Sequence, residues 1–362
     1  MSARVDIAVI GSGAAGIAAG VCAARSGCST LILDSRAAPG GIGGFSGITT
    51  LCGLYDDAGK FLNDGFTHEF AQAVAESLPV KMGKVFVLPY RPKNFRSLAE
   101  KFISNTSHLG AQWKTPLADV VFDGGRITRL NGFEVGAVID CSGAAEVAKA
   151  IGAETLATDE TTQASAVVFT LCNVRRPIAT AADMAHVLLR LARAGFAPLN
   201  LQASLEPDTF TAKFAGRAAQ VPELITFLRA NVRGFEECLT SLDDMTTAHR
   251  AGRMIVGQYV LTGQDVMTGR KFPDAVARCA WPIEQWNAAG VVSFQFLPPG
   301  IHYQIPARSL RAAHVANLFM AGKTISAEVD AIASARVMGC CLATGAAAGI
   351  LAADYVKSSP LR

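Results

Sequence analysis

The chain has 362 residues, half of them hydrophobic and 17% charged, a balance that excludes a disordered chain and leaves room for about two folding units. Lys and Arg number 33 against 30 Asp and Glu, with no run of five like charges, so a nucleic-acid partner is not expected. Nine cysteines, an odd number with no CxxC among them, suit neither a fully paired disulfide framework nor a zinc site, and point to a reducing, cytoplasmic setting with no metal.

Val5 to Ile10, VDIAVI, is a short β-branched run, followed by Gly-Ser-Gly-Ala-Ala-Gly and an alanine-rich stretch to Gly27. Strand, tight turn and helix are predicted. A second apolar run, Thr30 to Leu33, ends in Asp34 and closes a right-handed parallel strand-helix-strand unit. Gly11, Gly13 and Gly16 thus match GxGxxG after a strand and at the start of a helix, the context that gives the pattern meaning. The first glycine permits the turn, the second admits a pyrophosphate to the backbone N–H groups, and the third lets helix touch strand. Asp34, 23 residues beyond Gly11, is placed to accept from ribose hydroxyls, and an acid there disfavours a 2′-phosphate. Although Ile7 to Leu33 is apolar, its glycines and its change of pattern mark it as fold rather than as a signal peptide.

Further along, Gly40, Gly41, Gly43, Gly44 and Gly47 prepare a close backbone approach. Phe66 to Ser77 and Phe95 to Ser107 read as helices, and Val120 to Asn131, centred on Gly124-Gly125, as a hairpin. GAVIDCSG, Gly136 to Gly143, is a buried strand with a short helix behind it. The character changes between Thr155 and Gly300: strand-like SAVVFTL and VVSFQFL flank helical AADMAHVLLRLAR and PELITFLRANV. Asn317 to Gly322 is again a strand, and Ala331 to Val356 one long helix. Its uncharged core, Val337 to Ala353, has 17 residues, short of the roughly 20 that span a bilayer, so a buried helix is predicted and no membrane span. The fold class is α/β: a discontinuous Rossmann-like domain over 1–154 and 301–362, with an α+β substrate domain inserted over 155–300.

Several blocks carry a resemblance: VDIAVIGSGAAGIAAGVCAARSG with PGGIGGFSG, then VIDCSGAAEVAKAIGAE, RMIVGQYVLTGQDVMTGRKFPDAVA, YQIPARSL, NLFMAGKTISA and SARVMGCCLATGAAAG. In this order the chain resembles FAD-dependent oxidoreductases whose nucleotide domain is like that of the fumarate reductase and succinate dehydrogenase flavoproteins. The resemblance implies an extended FAD touching Gly11, Gly13, Ala14, Ala15, Gly16, Asp34, Ser35, Gly41, Gly44, Val121, Ser142, Gly143, Gly322, Arg336, Val337 and Met338. Val121 would meet adenine through its backbone. The final helix, starting near Ser334 to Met338, would aim its N-terminus at the flavin, with Arg336 adding a full charge or else pairing with Asp330 or Glu328.

Departures narrow the chemistry. No second GxGxxG follows a strand, no cysteine pair suits a disulfide reductase, and no His in GGIGGFSG holds a covalent flavin. Lys323 stands where aromatic hydroxylases place an aspartate after Ala-Gly. For catalysis the candidates are Cys52, which either faces the flavin or is an inert core thiol, His302 with Tyr303, and Arg308, which with Arg253 offers a carboxylate clamp. His68, His186 and His249 are expected to face solvent, and Cys340 and Cys341 to pack. The implied activity is hydride transfer from a small molecule to non-covalent FAD, with reoxidation by oxygen or another acceptor. The competing readings are a flavin monooxygenase acting on a small molecule or a protein residue, a thiazole-synthase-like enzyme holding an NAD-derived adduct, and a flavin-bearing assembly scaffold.

Overall fold

The computed structural model describes residues 3–158, 163–175, 178, 181–240, 245–287 and 291–358. β1 (Arg4–Ile10), α1 (Ala14–Arg25) and β2 (Thr30–Leu33) form the strand-helix-strand unit, with β1 and β2 parallel. On its other side β1 pairs in parallel with Phe133–Asp140. Leu109–Gln112 extends the sheet beyond β2, and Leu318–Met320 joins beside Val138 to Asp140, both again parallel. A sheet covered on both faces needs near-continuous apolar strands, and the buried run from Val135 to Asp140 is one. The hairpin Val120–Asp123 and Arg126–Leu130 closes antiparallel on the start of that strand. Its turn uses Gly124 and Gly125 at φ of 55° and 77°, the left-handed pair that a two-residue turn demands.

α1 buries every residue except Arg25, because it lies between the sheet and the closing helix Met338–Ser358. A Cβ on Gly345 would already sit 2.2 Å from the Ala15 carbonyl oxygen, and one on Gly349 2.4 Å from that of Ala19, so the two backbones touch. The closing helix is long and apolar enough to cross a membrane, but 67% of its apolar window is buried inside the protein, which makes it the core of the domain. The single helix expected over Ala331 to Val356 is two, Val329–Ala335 and Met338–Ser358. They break because the Gly339 N–H donates to the Cys52 carbonyl at 2.8 Å instead of continuing the helical ladder.

The insert holds a four-stranded antiparallel sheet in the order Leu199–Ala203, Phe210–Phe214, Ala166–Leu171, Thr246–Ala248. Helices Ala181–Arg193 and Val221–Asn231 give Val187, Leu191, Leu224 and Leu228 to its own apolar cluster, which runs from Val167 to Cys238. That unit is narrower than the 155–300 layer expected. Thr155–Thr158 pairs with Gly252–Ile255, and Met254, Leu261, Trp281 and Tyr303 belong to the main core, because the returning chain packs on the closing helix. Cys279, in strand Ala275–Cys279, is disulfide-bonded to Cys340, so Cys340 does more than fill space. The other seven cysteines are free thiols.

Candidate functional site

β1, β2, Phe133–Asp140 and Leu318–Met320 all end at one edge of the sheet, and the loops that leave them line a cavity of about 770 Å³. Ligands of open parallel sheets bind at this carboxyl edge. The three glycines of the first loop differ in what surrounds them. A Cβ on Gly16 would lie 1.8 Å from the Gly11 carbonyl oxygen, and Gly11, at φ 95°, would meet the Cys141 oxygen at 2.6 Å. A Cβ on Gly13 would meet nothing within 4 Å. Gly11 and Gly16 therefore serve the turn, whereas Gly13 leaves space open over the first N–H groups of α1, a cradle shaped for phosphate oxygens. Gly41, at φ 51°, brings a second glycine segment to within 2.8 Å of the Gly13 Cα, measured from its own ideal Cβ.

Asp34 is 5% exposed and accepts three protein hydrogen bonds: from the Ser12 N–H and hydroxyl on Oδ2, and from the Arg36 N–H on Oδ1. An ionised carboxylate has about four acceptor positions, so Oδ1 retains one toward the cavity. Beyond the next strand end, the Ser142 N–H and hydroxyl both donate to Asp140 Oδ1, and the Val147 N–H donates to Oδ2. Burial holds the Asp140 carboxyl above its usual value against these bonds. This buried cap fixes Ser142 and Gly143 at the rim. The cationic side chains on the wall, Arg36, Lys149, Arg253, Lys323 and Arg336, outnumber the carboxylates Asp34 and Glu146, as an anionic ligand requires.

Arg336 ends the helix Val329–Ala335 and borders the cavity. Its Nη2 donates to Gln163 Oε1 at 2.8 Å and to the Glu284 carbonyl at 3.3 Å. Neither Asp330 nor Glu328 pairs with it: Asp330 accepts from Gln285 and Glu328 from the Gly263 N–H. Burial pulls its guanidinium below the ordinary value. Lys323 donates to the His249 carbonyl at 2.7 Å, and His249, expected to face solvent, borders the cavity while staying exposed.

Of the residues singled out by sequence, Gly11, Gly13, Ala14, Ala15, Asp34, Ser35, Gly41, Ser142, Gly143, Gly322, Arg336 and Met338 line this cavity. Gly16 packs beneath Gly11, Gly44 lies against Arg96, Val337 fills the space over Gly53, and Val121 stays in the hairpin while Thr115, Pro116 and Leu117 take the wall near Asp34. The catalytic candidates are not brought to it. Tyr303 is 0% exposed, bonded to the Ser334 hydroxyl at 2.8 Å, and burial raises its phenol. Arg308 is exposed and ion-paired with Asp274 at 3.0 Å. The His302 carbonyl accepts from Lys271 at 2.5 Å. Burial pushes the Cys52 thiol up to about 12, so it stays protonated. Arg253 does line the cavity. Sequence reasoning missed Thr115 to Leu117, Lys149 and Thr158, which carry no local signal; Lys323 was visible as a departure from the hydroxylase pattern.

A family model described as FAD dependent oxidoreductase matches residues 6–194 and 189–360. Among solved structures, GidA from Aquifex aeolicus matches with a TM-score of 0.54 at 12% identity, covering 99% of this chain and 64% of that one. CabE, an aromatic hydroxylase from angucycline biosynthesis, matches with a TM-score of 0.55 at 12% identity and the same 99% and 64% coverage. At such identities the likeness is one of fold, and this chain spans less than two thirds of either protein. No curated protein sequence matches it significantly.

Proposed function

This chain belongs to the FAD-dependent oxidoreductase family and is an enzyme with FAD as its cofactor, and from that premise we propose that it oxidises a small molecule by hydride transfer to non-covalent FAD. The observation that carries the proposal is the continuous cavity from Asp34 past Gly13 to Arg336, with open space in front of Gly13. FAD supplies the redox chemistry; the protein binds, orients and sets the field around it. Asp34 would hold the adenosine ribose, the N–H groups after Gly13 the pyrophosphate, and Arg336 with the start of the closing helix the end of the cofactor that gains charge on reduction. Substrate would enter from the insert, whose Thr211 hydroxyl donates to the Gly47 carbonyl at 2.7 Å and whose Gln202 amide donates to Thr50 at 3.1 Å. A cytoplasmic location belongs to the same proposal, supported by the seven free thiols and opposed by the Cys279–Cys340 disulfide.

Lys323 on the cavity wall weighs against the monooxygenase reading. Anaerobic mixing with small alcohols, amines and hydroxy acids should bleach the oxidised flavin band with no nicotinamide cofactor added. Flavin reduction that requires a nicotinamide cofactor, followed by oxygen incorporation into product, would establish the monooxygenase instead.

A further inference from the structure

Among the described residues, Arg336 is a buried cation whose hydrogen bonds go to neutral oxygens, a costly arrangement unless its charge serves something. Among the described residues the carboxylate that acts on it is that of Glu284, whose carbonyl already accepts from Arg336. That carboxylate bonds elsewhere and reaches Arg336 only through space. Its Oε2 accepts from the Trp281 indole N–H at 3.0 Å and its Oε1 from that of Trp286 at 2.7 Å, both rings being buried. The other acceptor of Arg336 is Gln163, 1% exposed, whose amide nitrogen donates to the same Glu284 carbonyl at 3.4 Å. The guanidinium is therefore held in place by an amide and a peptide oxygen, while two indoles hold the Glu284 carboxylate and keep it from a direct ion pair with Arg336.

We propose that Gln163 is a positioning residue for the flavin: it fixes Arg336 on the cavity wall through a neutral oxygen, so that the positive charge stays available to reduced FAD. The inference rests on the reading of Arg336 given above. A glutamate has the shape of Gln163 but puts a negative charge at the same 2.8 Å contact, where it would compensate the cation.

The test is the reduction potential of the purified, FAD-loaded protein, by dye-coupled titration. Gln163→Glu should lower the reduced-to-oxidised ratio at a fixed potential about tenfold, a shift of about 30 mV for a two-electron couple. Gln163→Met, which removes the acceptor and adds no charge, should shift it far less. In an Arg336→Ala background the glutamate should produce no such loss. If Gln163→Glu and Gln163→Met give equal shifts, the side chain is merely structural and the inference is wrong. If Arg336→Ala moves the potential and Gln163→Glu does not, the inference fails while the role of Arg336 stands; if neither moves it, the role of Arg336 fails. Should Gln163→Glu not fold, Trp286→Phe, which frees Glu284 Oε1, should also lower the potential, and an unchanged value there would overturn the proposal.

Discussion

Ser12 and Asp34 are joined twice, the Ser12 N–H and hydroxyl both donating to Asp34 Oδ2, at 2.7 and 2.6 Å. The first glycine turn is thereby locked to the end of β2, and the carboxylate is presented with its other oxygen toward the cavity.

Replacing Asp34 with alanine removes the acceptor we assign to the ribose and leaves the Ser12 N–H without its partner, each loss being worth about 1 to 3 kcal/mol. FAD affinity should fall at least tenfold, read as flavin retained after dialysis. Full retention would remove Asp34 from the site.

Gly13 and Gly16 should part company. Gly13→Val has room for its side chain in the folded protein but fills the space we assign to the pyrophosphate, so the expected product is folded apoprotein with no flavin. Gly16→Ala drives a methyl into the Gly11 carbonyl, where overpacking costs about 1 to 3 kcal/mol or more, and should lower the melting temperature whether or not FAD is present. Circular dichroism melts with and without added FAD separate the two outcomes.

Gly345→Leu tests the contact between the closing helix and α1. With 2.2 Å available to a Cβ, the helices must separate, and the strained packing should cost several kcal/mol. A melting temperature within error of the parent would mean the two backbones do not touch.

His302 gives a pH dependence. Burial holds its imidazole below the ordinary 6.5, helped by the charges of Lys271, Arg278 and Lys60 and opposed by Asp56. The unfolded chain then takes up the proton first, so folding stability declines as pH falls from the ordinary value through the lowered one. His302→Gln should flatten that decline as pH falls below the ordinary imidazole value, and an unaltered slope in thermal melts would contradict it.

Cys52→Ala and Arg308→Ala should leave the rate of flavin reduction unchanged, since the thiol stays protonated and the guanidinium pairs with Asp274 on the surface. Arg308→Ala should also leave the melting temperature close to that of the parent, since an exposed ion pair stabilises little. A loss of rate beyond tenfold in either variant would place that residue at the chemistry.

The glycine loop was legible because its demands are local: a strand, a turn that only glycine makes, and a helix start lie within a dozen residues. Leu109–Gln112 was not, since LGAQ is too short to show alternation and becomes a strand only by pairing with β2. The closing helix starts at Met338, within the Ser334 to Met338 window that SARVMG suggested, but the separate helix Val329–Ala335 before it was not announced there, and the Cys52 carbonyl at the break is remote in sequence. Arg336 was found from its motif, but its partners Gln163 and Glu284 come from an insert whose return path no periodicity records. The same distance explains why Tyr303 and His302, adjacent to a recognisable motif, sit away from the cavity.

The pairing of Leu318–Met320 with Val138 to Asp140 also sets an order of events during synthesis. The glycine loop from Gly11 to Gly16 is made long before the wall formed by Gly322, Lys323, Arg336 and Met338. Until then the nascent domain lacks both a strand and the helix that covers α1, and its apolar underside is open to solvent. A polypeptide stalled in the insert therefore owns the fingerprint but not the whole cavity, and the cavity closes only once the closing helix has been made.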